Sequence, residues 1–307
     1  MARRGPLSVA TGWLRADSPA DALFKLVTGA FALGVVALFA LIVVVLADKA
    51  WPAFRAFGPG FLVSDAWDPP GQRFGAAPYL VGTFSSSLLG LAFAVPVALG
   101  TAVALAILLP RWVAAPLGIV VELLAAVPSI VFGVWGAALV APFVADLSGG
   151  SSFGPSLLAA GFVLAVMVLP IIAAVSRDMV LAVPQSQRDA ALALGATPWE
   201  VTWKVVLPYA RPGILAAVIL GFGRAVGETM AVVMVIGNQA AFPHSVFDPA
   251  ATMSSVIVNE FGDPSGPLHY SSLVSLGLIL LVCSLAFNLG ARGVVHRLGR
   301  RLGVDRL

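Results

Sequence analysis

Apolar runs of bilayer length, separated by shorter polar stretches, set the pattern of this chain. The first, Leu26–Ala47, is long enough as a helix to cross about 30 Å of hydrocarbon. Others run Gly82–Leu109, Leu117–Val144, Ser156–Ser176, Pro212–Gly237 and Leu268–Ala291. A segment in lipid must satisfy its own backbone groups, so the pattern predicts an all-α membrane protein with six transmembrane helices. The expected organisation is an N-terminal segment 1–25, a first span 26–47 that is not a cleaved signal, an extracytoplasmic loop 48–81, a transmembrane domain 82–291 holding spans two to six, and a tail 292–307. The third run is interrupted by Glu122 and by Pro128-Ser129, with Gly133 and Gly136 beyond, and such breaks line a cavity or lie against protein. Thr83, Ser85, Ser86 and Ser87 open the second run and are placed to bond freed backbone groups. Trp51 and Trp67 are expected at headgroup level. Residues 238–267 read as a looser loop.

Between the fourth and fifth runs lies a long segment, 177–211, too polar to sit in lipid yet helical in character. Ser186 followed by Asp189 reads as one capping box, and Thr197-Pro198 followed by Glu200 as another. Gly195 between them is a left-handed helix stop. The expected product is two short helices joined by a sharp turn and ended at Pro208, with Ala190, Ala191 and Ala193 small enough for another protein to come close.

Composition agrees with the pattern: the chain is 59% hydrophobic and 11% charged, with mean hydropathy +0.98, beyond what a soluble globule of 307 residues tolerates. Fourteen of its 18 lysines and arginines fall at the N-terminus, the Arg111 turn, the 177–211 loop and the tail, and three fall in the opposite loops. By the positive-inside rule both termini and the 177–211 loop face the cytoplasm. The net charge of +3 is thus a topology signal, and no basic-aromatic surface for nucleic acid accompanies it. The single cysteine, Cys283, and three scattered histidines offer no metal-ligand spacing. None of the three lysines is followed by Ser or Thr, so the chain carries no phosphate-cradling Walker loop, and any ATP that drives it is hydrolysed by another chain.

Chemistry concentrates in the fifth run. Arg224 and Glu228, four residues apart, share one helix face, and Asn238 falls roughly on the same stripe. Arg224 lies about 16 Å along the helix from Gly213, near the bilayer middle, where an ionisable group costs about 3 kcal/mol or more unless it is paired or meets water. Gly223 and Gly227 allow close helix approach. One reading is a pore-lining guanidinium that offers its planar fork to an oxyanion while Glu228 holds it; another is a self-neutralised pair that locks two helices together. Glu122 either reaches the membrane interface or faces Arg224's helix, and Ser129 either donates to the anion or satisfies a broken helix.

Two stretches carry a family resemblance. Asp189-Ala190-Ala191, three residues, Gly195, nine residues, then Val205-Val206-Leu207-Pro208 resembles the cytoplasmic signature of ABC-importer permeases, with Asp for Glu and Val for Ile. Gly221-Phe222-Gly223-Arg224-Ala225-Val226-Gly227-Glu228-Thr229-Met230, running on to Met234-Val235-Ile236-Gly237-Asn238, resembles the PstC-type permeases of phosphate-specific ABC importers. So do Leu123–Gly133, Trp67-Asp68-Pro69 and Phe74-Gly75. The likeness covers about 61–291.

The resemblance implies a type I ABC-importer permease fold with coupling helices between spans four and five, in a bacterial plasma membrane. It implies a PstA-like sister permease, two copies of a cytoplasmic ATPase that bind ATP and Mg, and an extracytoplasmic phosphate-binding protein. The chain itself would hold no cofactor or metal and have no catalytic residue. Arg224, Glu228, Ser129, Asn238 and Glu122 are the expected substrate path, and Asp189, Ala190, Ala191, Gly195, Leu207 and Pro208 the expected coupling residues. The alternatives are the sister PstA-type permease, a permease for another oxyanion such as sulfate or molybdate, and a secondary transporter or channel.

Overall fold

The computed structural model describes residues 19–150 and 153–301. Arg3, Arg4 and Arg15 of the basic opening, Ser151-Ser152 and the last six residues of the tail lie outside the described residues. Among the described residues, six helices are long and apolar enough to cross a membrane. The first, α1 (Pro19–Phe57), extends the apolar run at both ends. Its part up to Lys49 is a compact unit of its own, with its apolar side chains exposed. From Ala50 onward the chain forms the second unit, to which everything below belongs.

That unit is built around α7 (Leu157–Leu181), the most buried of the spans. Its start is fixed by Ser156, extended at φ −163°, whose hydroxyl accepts from the Ala159 N–H. The second span is α3 (Ala77–Val103), prolonged by a π-helical turn over Ala104–Leu108. It lies against α7 where glycines face each other: a Cβ on Gly90 would stand 3.2 Å from the Gly161 carbonyl oxygen. Leu164, Val168 and Ile172 of α7 are fully buried between α3 and the fifth span.

The third run is divided as expected at Pro128: α4 (Arg111–Ala125) stops, and α5 (Ser129–Trp135) restarts. A second π turn (Gly136–Val140) leads into α6 (Ala141–Leu147). After α7 come α8 (Gln185–Ala193) and α9 (Pro198–Val201), then a third π turn (Thr202–Val206) and α10 (Leu207–Val226). The helix therefore continues through Pro208, where the sequence suggested an end. All three π turns share one cause. Leu109, Ala141 and Leu207 each donate five residues back, to Ala104, Gly136 and Thr202, and each directly precedes a proline. Proline has no N–H to give, and its ring collides with the carbonyl a turn earlier. The wider turn moves that carbonyl aside, so Pro142 and Pro208 are carried within continuous helical segments.

The fifth run is not a single helix to Gly237. It stops at Gly227, and the chain passes through a short α11 (Met230–Val233) into a buried return segment in which Val235, Ile236 and Ala250 are inaccessible. The expected loose loop is also ordered. Ala250 N–H donates to the Ile236 carbonyl, and a Thr252–Ser255 capping box starts α12 (Met253–Glu260). The last span is α13 (Pro267–Arg301).

The loops gather at two ends. At one end, Phe61 of α2 (Gly60–Val63) packs with Phe74, Tyr79, Met253, Leu273 and Leu276. The hairpin β1 (Trp67–Asp68) and β2 (Arg73–Phe74) pairs Trp67 with Phe74. Trp67 is held by the protein itself: its indole N–H donates to Glu260 Oε2 at 2.9 Å, and its ring packs on Phe74, Tyr79 and His269. At the other end, Val180, Val183, Val201, Val206 and Ala210 bury the base of α8 and α9.

Candidate functional site

Arg224 stands at mid-depth. Gly221, three residues before it, lies against Val168 and Ile172, at the middle of α7. Its guanidinium is 3.4 Å from Glu228 Oε2, and the two side chains differ sharply in exposure, Arg224 at 50% and Glu228 at 3%. The i,i+4 pairing is as the spacing predicts, yet Glu228 lies beyond the helix rather than on it. Gly227 ends α10 and Thr229 leaves helical geometry at φ −120°. The carboxylate then serves the broken backbone: Oε1 accepts from the Ala231 N–H at 3.2 Å, while the Glu228 carbonyl accepts from Ser254 Oγ at 2.8 Å. A buried carboxylate survives only if paired and bonded, and Glu228 is both. Glu228 is thus a fixed buried counter-charge, and Arg224 presents its remaining N–H groups to open space.

The break is clamped from α5. A Cβ on Gly133 would lie 3.0 Å from Ala231 Cα and 3.1 Å from the Met230 carbonyl, so no larger residue lets α11 sit where it does. Ser129, the first residue of α5, is half-buried, and among the described residues its hydroxyl has no partner. Two other expected members do not join. Asn238 is not on the Arg224 stripe, because the helix has already stopped; it sits in a left-handed turn at φ 53° and donates to the Val233 carbonyl. Glu122 is largely exposed and 3.5 Å from Arg177 at the far part of α7, so it pairs there instead of joining Arg224. The structure adds Ser254, which ties α12 to the break and which the sequence did not mark. A hydroxyl bonding a backbone carbonyl 26 residues away leaves no local signal.

At the other end, Gly195 takes φ +84° and closes α8, with Ala196 N–H donating to the Ala191 carbonyl. The Thr197–Glu200 capping box forms in full. The Ser186 box does not: Pro184 occupies the cap position, and Ser186 falls inside the first turn. Asp189 and Ala190 are exposed, Ala191 is half-buried against the base, and Leu207-Pro208 begin α10. Arg188 donates to the Val180 carbonyl at 2.6 Å, fastening α8 to the end of α7. Around this turn Leu194, Trp199 and Trp203 are left exposed.

A bundle of broken membrane helices around a half-exposed cation, with a capped helical loop at one end, is the architecture of an importer permease. The family model described as "Binding-protein-dependent transport system inner membrane component" matches residues 76–304, and the chain belongs to that family. Among curated relatives, it is 40% identical over 301 residues to the phosphate transport system permease protein PstC of Pasteurella multocida, covering 92% of this chain and 94% of that one. It is 40% identical to the PstC of Mesorhizobium japonicum (92% of each), and 38% identical to PstC 1 of Mycobacterium tuberculosis (81% and 80%). The PstC-type resemblance is therefore borne out.

Solved structures agree on the fold. A bacterial alginate ABC transporter in complex with its alginate-bound periplasmic protein matches with TM-score 0.61 at 14% identity, covering 91% of this chain and 96% of that one. The MetNI methionine ABC transporter in an inward-facing form matches with TM-score 0.55 at 22% identity, covering 73% and 94%. The chain is a multi-pass membrane permease subunit with an ABC-importer fold.

Proposed function

We propose that this permease forms half of the path by which an ATP-driven importer carries phosphate into a bacterial cell, with Arg224 as the residue that meets the anion. The observation that carries this is the Arg224–Glu228 pair: a mid-depth guanidinium, half exposed, held by a buried carboxylate that is itself bonded to the backbone. A cation placed there only to pair would be buried with its partner; this one is aimed outward, and its planar fork fits an oxyanion. Glu228 orients Arg224, and Ser129, at the start of the clamping helix, offers its hydroxyl to the anion. The PstC-type relatives supply phosphate as the oxyanion.

The other half is a PstA-like sister permease. Two copies of a cytoplasmic ATPase, which bind ATP and Mg, lie below the permease pair, with α8 and α9 as this chain's contact to them, and an extracytoplasmic protein delivers phosphate. Both termini face the cytoplasm, as the lysine and arginine distribution requires. Asp189, Ala190, Ala191 and Gly195 form the contact with the ATPase, while Leu207-Pro208 transmit its motion to α10 and so to Arg224. This chain contributes positioning and electrostatics and forms no covalent intermediate.

Phosphate uptake by the reconstituted importer, with sulfate as competitor, tests the reading. Wild type should take up phosphate with sulfate largely excluded. Arg224→Gln should lose uptake by two orders of magnitude or more, taking about 3 kcal/mol as the worth of a preorganised charge contact, while the complex still assembles and hydrolyses ATP. Normal uptake in that variant would make the pair purely structural.

A further inference from the structure

On the α8–α9 side of Arg224, the seam between α10 and α13 opens into a groove of about 350 Å³. Ala216, Ile219 and Leu220 form one wall, and Asn288, Arg292 and Val295 the other. The groove continues the Arg224 face, since Ala216, Leu220 and Arg224 follow one another at i, i+4 and i+8, and Leu220 and Arg224 are both exposed. Gly223 brings the helices together at the level of Asn288, where its Cβ would be 3.7 Å from the amide nitrogen. Beyond that level the seam is shut. Phe222 and Phe287 pack with ring centres 4.1 Å apart, and the remaining void is about 10 Å³, no more than one water needs. The groove therefore opens on one side of Arg224 only.

The charged side chain in its lining is Arg292; the two wall helices contain no aspartate or glutamate, and Arg224, just past the lining, is paired with Glu228. Arg292 is exposed, and among the described residues it makes no ion pair. Asn288 spends one amide N–H on the Ser284 carbonyl and keeps the other. The two residues are one helical turn apart, about 6 Å along the axis.

We infer that Asn288 and Arg292 form a second anion station, onto which the phosphate leaving Arg224 steps on its way to the cytoplasm. The inference rests on the proposed role of Arg224. Conduction needs sites that bind firmly enough to enter and weakly enough to leave. A single mid-depth arginine held in place by Glu228 would keep the anion, and a second one a step further on draws it away. The occupant is the transported phosphate ion; a phospholipid with its phosphate on Arg292 and a chain in the groove is the competing one.

Two measurements on the reconstituted importer decide it. In the first, Arg292→Gln should lower the maximal phosphate uptake rate about tenfold, the weight of one charge-assisted hydrogen bond. The concentration of loaded binding protein giving half-maximal rate should not change, and Arg292→Lys should keep most of the rate. In the second, Val295→Cys, in the groove lining but outside the station, is introduced with Cys283→Ser, and a membrane-impermeant anionic thiol reagent is applied from the cytoplasmic face. Phosphate should slow the labelling, and equal sulfate should not. Wild-type liposomes that take up no phosphate would refute the proposed function itself. With wild-type uptake intact, the inference falls if Arg292→Gln transports at the wild-type rate. It falls equally if labelling is insensitive to phosphate, whatever Arg292→Gln does, or if added anionic phospholipid alone protects the cysteine.

Discussion

Glu228 has two partners that a substitution can separate. Glutamine keeps an oxygen for the Ala231 N–H and loses the charge that faces Arg224; alanine loses both. Because Arg224 is half exposed, the ion-pair part of the loss is softened by water, and we expect Glu228→Ala to cost about 2–3 kcal/mol, less than a fully buried pair. Thermal melts of the purified complex should rank wild type, Gln and Ala in that order, while phosphate uptake falls in both variants. Equal melting of Gln and Ala would show that the backbone cap contributes nothing. This pair was legible in the sequence, because four residues bring two side chains together even where the helix is about to end. Asn238 was misplaced by the same rule: a stripe extrapolated ten residues past Glu228 assumes an unbroken helix, and Gly227–Thr229 breaks it.

The π turns show what run lengths conceal. Six spans could be read from apolar stretches, the Thr197–Glu200 cap from its side chains and the Gly195 stop from the lack of one, since each is a local requirement. The extra residue in a π turn leaves no compositional mark, and only the proline that follows explains it afterwards. At Pro208 this has a mechanical consequence. One residue is worth about 100° of helix rotation, so the turn over 202–206 sets the face that Pro198–Val201 presents relative to α10. In Pro208→Ala the ring clash is gone and the missing N–H is restored, so the helix can relax to regular geometry and rotate α9 about 100°. We expect the variant to reach the membrane but to lose nucleotide-driven uptake. Deleting Lys204 in the same background should restore it, because removing the extra residue returns the phase. Gly195→Leu probes the neighbouring turn. Nothing lies within 4 Å of its Cβ position, so the cost is the left-handed φ, about 1–2 kcal/mol, and weaker co-purification with the ATPase is the expected result.

Across the whole molecule the two ends are stabilised by different means. The α8–α9 end rests on an aliphatic layer drawn mostly from residues 180–210, with Ala106 and Ile107 packed against it, and on Arg188 bonding the Val180 carbonyl. The opposite end adds to its buried aromatic cluster one oxygen shared by distant residues: Glu260 Oε2 accepts from Trp67 Nε1 at 2.9 Å and bonds His269 Nε2 at 2.8 Å. The Ser265 N–H donates to His269 Nδ1, so the ring proton lies on Nε2 and points at Glu260. Residues 67, 260 and 269 share no local pattern, and only the packed structure reveals that a tryptophan, a carboxylate and a histidine close the hairpin over the junction of α12 and α13. Glu260→Ala leaves two donors without their acceptor; with Glu260 partly open to solvent we expect a loss of about 2 kcal/mol, and less for Gln, which keeps one oxygen for both. If the ends are independent in this way, backbone hydrogen exchange in Glu260→Ala should rise over residues 64–76 and 253–270 and stay at the wild-type level over 185–206. Exchange that rose equally at both ends would mean that the bundle transmits the loss along α7, and that the two ends form one cooperative structure.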